Sequence, residues 1–596
     1  MHNKKPLIKR SKGLRCLFIG PFIFTYLFCG HPISIDGQFE DWDDVPVAYN
    51  DTEGDGFSAD YSSLKITYDS QFLFIYFNFY NGDFLMQDWN DFHLYIDADN
   101  DSSTGYSVHG IGAEMDWTFG DRWGYKYLDG QQTELYQNDL TLRIAPTITS
   151  TEFEIAIARD SSPLTMNGSQ SLNEGTIVFS EIEEDGDLVP DESGGIPFSI
   201  GDDIVPLPQP ITLERSNEQD IRLVSYNTWN EGILDGDRQI HFKRILQALD
   251  PDIIALQEHG DWNDIENIIQ SWFPSEEWYA SWTYNDLVVL SRFPITHDAN
   301  MISSERTMAA LLDTEDELGK DLLIFNSHLS CCDNNEGRQQ QVDEFAGVWR
   351  DWVTNESGPF ALENGTPFVH VGDFNYVGYR QQVETIRDGD IEDEVQYGND
   401  FLPDWDSTAI IDLFPRHTHK RMGYTWRKDG SSFNPGKLDY VFYSDATIDT
   451  GKYYILNTLA MDDIALDYYE LQWDDTQIAS DHLPIVFDIN IENSVGINQE
   501  HHMPESPLLF PNYPNPFNSN TNITYYLARS SIVSLSIIDI AGTTVKRLTH
   551  DKKPMGEHSI NWDGKNKKGE MVTSGLYFYV LETKDISLKK KMILIK

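Results

Sequence analysis

The rhythm of apolar and polar positions changes along the chain, and each change predicts a different kind of element. From Ile33 to Ile200 short runs alternate, such as Leu64 to Tyr68, Phe72 to Phe79, Phe92 to Ile96 and Phe153 to Ala158. Turn residues separate them and no long helical period intervenes, so residues 31–200 read as an antiparallel β-sandwich. Between residues 219 and 492 the runs become mostly continuous: Ile221 to Val224, Ile253 to Leu256, Leu322 to Phe325 and Pro367 to Val371. Each ends in polar residues, namely Ser225-Tyr226-Asn227, Gln257-Glu258, Ser327-His328 and Gly372-Asp373-Phe374-Asn375; Ser480-Asp481-His482 follows a less regular approach. Polar tips on buried strands are where an α/β fold places its chemistry, because strand ends are rigid and open to solvent.

The 596 residues exceed what one core supports, so several domains are expected. Residues 201–218, with Pro206, Pro208 and Pro210, read as a linker, and 493–509 as a second. Residues 510–596 return to alternation and tight turns, as in Val533 to Ile538 and Ser574-Gly575-Leu576-Tyr577-Phe578, predicting another all-β sandwich. At the start, Lys4, Lys5, Lys9, Arg10, Lys12 and Arg15 precede apolar Leu17 to Phe28. Residues 1–30 therefore read as a signal peptide, too short for a stable membrane span, and the protein as secreted or held at the cell surface.

Charge narrows the function classes. The formal net charge is −54, and the acidic excess persists inside residues 219–492, where no run of Lys and Arg is found. Such a surface disfavours gripping a long polyanion, which draws on clustered cations. Of the cysteines, Cys331 and Cys332 lie together beyond the leader, just after His328, where adjacent residues cannot staple distant segments. Asp97, Asp99 and Asp101 alternate as hard oxygen ligands for Ca2+ would, although Ser102 and Val108 depart from an EF-hand; Asp187 and Asp191 mark a second acidic loop with Asp185.

The polar clusters hold carboxylates, histidines and asparagines, an inventory suited to metal-assisted phosphoester hydrolysis. In this order, and with Lys437-Leu438-Asp439-Tyr440-Val441-Phe442 added, they resemble the endonuclease/exonuclease/phosphatase superfamily, which includes pancreatic deoxyribonuclease, abasic-site endonucleases, neutral sphingomyelinases and inositol-polyphosphate phosphatases. The resemblance implies a central four-layer αββα sandwich over residues 219–492, flanked by the all-β domains. It implies Glu258 as principal ligand of Mg2+ or Mn2+, with Asn227 beside it and Asp481 near the metal. Asp373 would orient or deprotonate the attacking water, Asn375 would donate to a phosphate oxygen, and His482 would contact phosphate while held by Asp439. His328 matches a second histidine that binds phosphate or protonates the leaving group. Arg338 is a further candidate for phosphate, and Trp229 stands where some nucleases carry an acidic residue.

Two flanking likenesses complete the reading. Ile35-Asp36-Gly37-Gln38-Phe39-Glu40-Asp41-Trp42 resembles the first strand of family 9 carbohydrate-binding modules, implying a glycan as partner. Tyr513-Pro514-Asn515-Pro516-Phe517-Asn518 resembles the opening of type A sorting domains read by the type IX secretion machinery. The expected activity is a secreted, nuclease-like phosphodiesterase acting on DNA, RNA, phospholipid or a small diester. Sphingomyelinase-like or inositol-phosphate hydrolysis is the alternative, for which aromatic Trp272, Phe273, Trp278, Tyr279 and Trp282 would supply membrane contact. A non-catalytic glycan-binding surface protein is the alternative of another class.

Overall fold

The computed structural model describes the chain apart from residues 1–26, 29, 57, 89, 166–170, 182–185, 202–204, 261, 283–285, 491–507, 510–511, 513–516, 519, 528–530, 540–542, 554–555, 584–586 and 595–596. Most of the expected leader, most of the 493–509 segment, Tyr513 to Pro516 and Asp185 thus lie outside the described residues, while Leu27–Phe28 of the leader is described as a strand beside Ile196–Ile200. The chain divides into two compact units, Met1–Glu492 and Asn493–Lys596.

Within the first unit, the N-terminal strands form an eight-stranded and a five-stranded sheet. Leu64, Ile66, Leu73, Ile75, Phe77 and Phe153 from one sheet meet Trp117, Ile177 and Phe179 from the other in an aromatic-rich core. Strand Phe72–Phe79 is apolar at nearly every position because both of its faces are covered. Leu73, Ile75 and Phe77 enter the sandwich core, while Phe72, Phe74 and Tyr76 join a cluster with Ile35, Trp42, Met422 and Leu483. That second cluster continues into the central domain through Leu223, Ala255, Ile324 and Val371. Side chains of this size contribute about 1.5–3 kcal/mol each when buried, so the sandwich and the central domain share part of one core. Backbone bonds reinforce the join, with Ile35 N donating to Arg421 O and Gly423 N to Ile35 O.

The segment read as a linker is not a free spacer. Leu213 is buried, Arg416 and Arg421 donate to Gln209 O and Pro206 O, and Lys452 donates to Thr212 O.

The central domain consists of two six-stranded sheets. One runs Tyr279–Trp282, Val288–Ser291, Ile253–Gln257, Ile221–Asn227, Ile485–Asn490, Asp449–Ile455. The other runs Ile295–Asn300, Thr307–Leu312, Leu322–His328, Phe368–Asp373, Asp439–Tyr443, Ile411–Asp412. Each has one parallel pair near its centre, Ile221–Asn227 with Ile253–Gln257 and Leu322–His328 with Phe368–Asp373. A parallel pair needs a crossover, supplied here by helices Gln239–Leu249 and Asn335–Asn355.

Period-two alternation sorts the faces. Leu223, Ile253, Ala255, Ile324, Val369, Val371 and Val441 point between the sheets. Val224, Tyr226, Ile254 and Leu256 pack against Phe242, Ile245 and Leu246 of the first crossover helix. Leu323, Phe325 and Phe368 pack against Val342, Phe345, Trp349 and Trp352 of the second.

The second unit has a three-stranded and a four-stranded sheet among its described residues, with Ile523, Tyr525, Leu535, Ile537, Trp562 and Tyr579 in its core.

Candidate active site

The site forms where the carboxyl ends of both parallel pairs converge, on the face that looks between the sheets. Asn227 continues the inward set of Leu223 two residues at a time, and Asp373, His328 and Asp439 do the same for Val371, Ile324 and Val441. Cross-strand register then brings polar tips abreast: Asn227 opposite Gln257, His328 opposite Asp373, and Asp373 opposite Asp439. Beneath them Gln257 Nε2 donates across the gap between the sheets to Asn326 Oδ1 at 2.7 Å, and Asn326 Nδ2 donates to Leu256 O at 2.9 Å.

Asp373 is the hub. Its Oδ2 accepts from Asn227 Nδ2 at 2.9 Å and lies 3.6 Å from His482 Nε2 and 3.8 Å from His328 Nε2; its Oδ1 accepts from Asn375 N at 3.0 Å. Each imidazole is backed by a second carboxylate. His482 Nδ1 is 2.8 Å from Asp439 Oδ2, and His328 Nδ1 is 3.1 Å from Asp286 Oδ2. Charge follows from this packing. Burial, aided by the Asp439 charge, raises the Asp373 carboxyl to about 6 against the pull of His482 and His328. Burial draws His482 down, but the charges of Asp439 and Asp373 outweigh it and raise the imidazolium to about 10. His328 is likewise raised against its burial, through the Asp286 hydrogen bond and the Asp373 charge.

Glu258 stands on the left-handed backbone at φ 56°, as does Asn375 at φ 53°. These conformations are unfavourable for residues with a Cβ, and here the surroundings impose them. Glu258 Oε1 accepts from Asn227 Nδ2 at 3.2 Å and Oε2 from Asn230 N at 2.7 Å, so each oxygen keeps a lone pair. Glu258, His328 and Asp373 each bring a ligand atom within 4.8 Å of the others, as do Asp373, Asp439 and His482. A hard divalent cation fits the carboxylate and amide oxygens of this set.

Other expected site residues fall differently. Asn375 uses Nδ2 on Leu329 O at 3.1 Å. Asp481 lies outside both groupings, with Oδ2 3.4 Å from Lys428 Nζ and Oδ1 buried without a hydrogen-bond partner. Arg338 does not face a phosphate position. It is fully buried, donating to Ser330 O, Cys332 O, Gln382 Oε1 and Asn335 Oδ1, so its guanidinium shapes the loop after His328. Cys331 and Cys332 on that loop are free and exposed thiols. Trp272 and Trp278 are buried in the helix-side core, which removes them from a membrane-contact hairpin. In the sandwich, Asp97 and Asp99 group with Glu114, whereas Asp101 folds back to accept from Ser103 N at 3.0 Å. Asp187 and Asp191 group with Asp51 and Asp55, and both Asp51 oxygens are buried without a hydrogen-bond partner.

Asp286 was not legible beforehand. It precedes an ordinary apolar strand, and only the fold carries it to His328.

Residues 224–482 match the model of the Endonuclease/Exonuclease/phosphatase family. The central domain is similar to this family. The match spans less than half of the chain; a separate match joins residues 517–585 to the FlgD Ig-like domain. No curated protein matches. Among solved structures, the human Nocturnin catalytic domain with bound sulfate anion aligns at 15% identity over 48% of this chain and 100% of that one, with a TM-score of 0.29. A truncated TDP2 from Caenorhabditis elegans aligns at 15% identity over 46% and 98%, TM-score 0.31. A variant of the 3′ phosphatase NExo from Neisseria, bound to product DNA hairpin, aligns at 14% over 45% and 99%, TM-score 0.29. Likeness at this level says nothing about substrate.

Proposed function

We propose that this protein is a phosphodiester hydrolase, with its chemistry at the Asp373 centre of a four-layer αββα domain. The observation that carries the reading is one buried carboxylate flanked by two imidazoles, each backed by a carboxylate of its own. Asp373 Oδ2 takes a proton from water as the water oxygen bonds to phosphorus. The bond to the leaving oxygen breaks, and that oxygen takes a proton from Nε2 of His328, the less buried imidazole. His482, charged and anchored by Asp439, faces the nonbridging oxygens. Glu258, with Asn227 beside it, would hold Mg2+ or Mn2+, which supplies neutralisation of phosphate charge. The general acid and base steps are together worth ~10²-fold or more.

Asp373→Asn preserves shape and removes the proton acceptor. Turnover of a chromogenic diester should fall ~10²-fold or more, with the circular dichroism and melting curve of a folded protein. Near wild-type turnover would overturn the assignment. Chelation by EDTA should abolish activity, and added Mg2+ or Mn2+ should restore it; full turnover in excess EDTA would exclude the proposed metal.

The leader and the Tyr-Pro-Asn-Pro-Phe-Asn motif support export through a type IX route as part of this reading. Mass spectrometry of the mature protein from a host with that machinery should find both termini processed.

A further inference from the structure

Lys and Arg number 43 against 97 Asp and Glu, so a concentration of cations anywhere in this chain calls for a cause. One occurs at the seam between the sandwich and the central domain. A cavity of about 250 Å³ is lined by Arg143 from the sandwich and by Lys420, Tyr424 and Arg427 from the central domain, with Asp429 as its single carboxylate. Asp429 is occupied, its two oxygens accepting from Arg427 Nε at 2.5 Å and Nη2 at 3.0 Å. Arg143 is 4% exposed; it donates to Leu142 O at 2.6 Å and lies over the Tyr424 ring at 4.9 Å. The Lys420 ammonium makes no hydrogen bond or ion pair with the described residues. Burial and the neighbouring Arg143 and Arg427 charges lower Lys420, and burial lowers Arg143. Asp429 compensates Arg427, which leaves Arg143 and Lys420 as desolvated like charges with no carboxylate partner among the described residues, an unfavourable pairing unless an anion lies between them.

Backbone contacts tie the cavity to the segment that carries His482. Arg427 N donates to Asp481 O at 2.8 Å, and Trp426 pairs with His482 as an isolated bridge. A smaller cavity of about 150 Å³ shares Arg427, Asp429 and Asn457 with the first and is lined also by Ser480 and Asp481. We propose that Arg143, Lys420 and Arg427 form a second phosphate subsite, so that the substrate is a small phosphodiester bearing an additional phosphate group. The Arg143 guanidinium and the Lys420 ammonium suit the oxygens of such a group, with Arg427, held by Asp429, adding charge beside them. The acidic surface elsewhere disfavours a long nucleic acid as its source. The inference rests on the reading of Asp373 as the hydrolytic centre.

The test uses the full chain and thymidine 5′-(4-nitrophenyl phosphate) with and without a 3′-phosphate. Wild-type protein should prefer the 3′-phosphorylated compound by ~10-fold or more in kcat/KM, through KM, and Lys420→Gln should shrink that preference to about twofold or less. Arg143→Gln should do the same; it is the more buried site, so Lys420→Gln decides if Arg143→Gln fails to fold. No preference in wild type, or one untouched by Lys420→Gln, overturns the subsite. A 3′-phosphorylated oligonucleotide cleaved faster than the mononucleotide, and equally impaired in Lys420→Gln, would overturn the small-substrate assignment. If neither compound is hydrolysed, the Asp373 reading fails by itself, and calorimetry with inorganic pyrophosphate on His482→Ala, with and without Lys420→Gln, decides the subsite. Affinity lost with Lys420 sustains it, and equal affinity overturns it.

Discussion

At the scale of single residues, the structure places carboxylates where water cannot fully solvate them. Asp373 is one, and its environment supplies two imidazoles in return. Asp41 is another and has less: Oδ2 accepts from Ser34 N at 2.6 Å, while Oδ1 is buried without a hydrogen-bond partner. Burial and the nearby Glu40 charge raise Asp41 to about 6. A carboxyl raised in the folded state favours folding while protonated, so its contribution is full below about 4 and is lost as pH rises through about 6. Asp41→Asn should therefore raise the melting temperature at pH 8 by roughly 2 °C or more and do little at about pH 3, below the unfolded carboxyl's own range. Differential scanning calorimetry at the two pH values checks this; an equal shift at both would show that the charge is not the cause.

At the scale of elements, the two sheets meet through an apolar layer that ends in a polar rung. Gln257 Nε2 donates to Asn326 Oδ1 across the gap, Gln257 standing one residue before Glu258 and Asn326 two before His328, while Gln257 Oε1 stays buried without a hydrogen-bond partner. Gln257→Leu leaves Asn326 Oδ1 buried without its donor and should destabilise the domain by ~1–3 kcal/mol. It should also lower turnover, because Glu258 follows Gln257 directly in the chain. Urea unfolding against diester kinetics measures both; unchanged stability would mean that water replaces the bond. The strands themselves were largely legible, since continuous apolar runs with polar tips have few other uses. Helix Asn335–Asn355 was less so. Its buried face mixes Arg338, Gln339, Gln341 and Asp343 with Val342, Phe345 and Trp349, so the 3.6-residue pattern is broken by groups satisfied only in the fold.

At the scale of the whole molecule, the sandwich and the central domain behave as one body. Phe72, Phe74 and Tyr76 lie in the same cluster as Leu223 and Ile324, and Thr147 Oγ1 donates to Tyr376 O at 2.9 Å. Removing residues 31–218 would expose this apolar face, so a fragment of 219–492 should be insoluble or poorly folded, contrary to what linker-like composition suggests. The unit ending at Glu492 is separate from Asn493–Lys596, and truncation after Glu492 should leave diester turnover within about twofold of the full chain. Soluble expression and kinetics of the two truncations test the pair. A fully active 219–492 fragment would show that the shared core is dispensable.

The sequence by itself determined where chemistry sits along the chain. Asn227, Glu258, His328, Asp373, Asp439 and His482 each lie at or beside a strand end or a short bridge, and residue type together with strand-end position is local information. Placing Asp373 between two imidazoles needed cross-strand register, which no local pattern contains. The fates of Arg338 and of the aromatic segment around Pro274 were tertiary decisions too, because an arginine fork or a tryptophan serves surface and interior alike until its partners are known. The cation pocket at the seam is the extreme case. Arg143 and Arg427 lie in separate domains of an acidic chain, and only the burial of Phe72, Phe74 and Tyr76 against the central core brings them to one cavity.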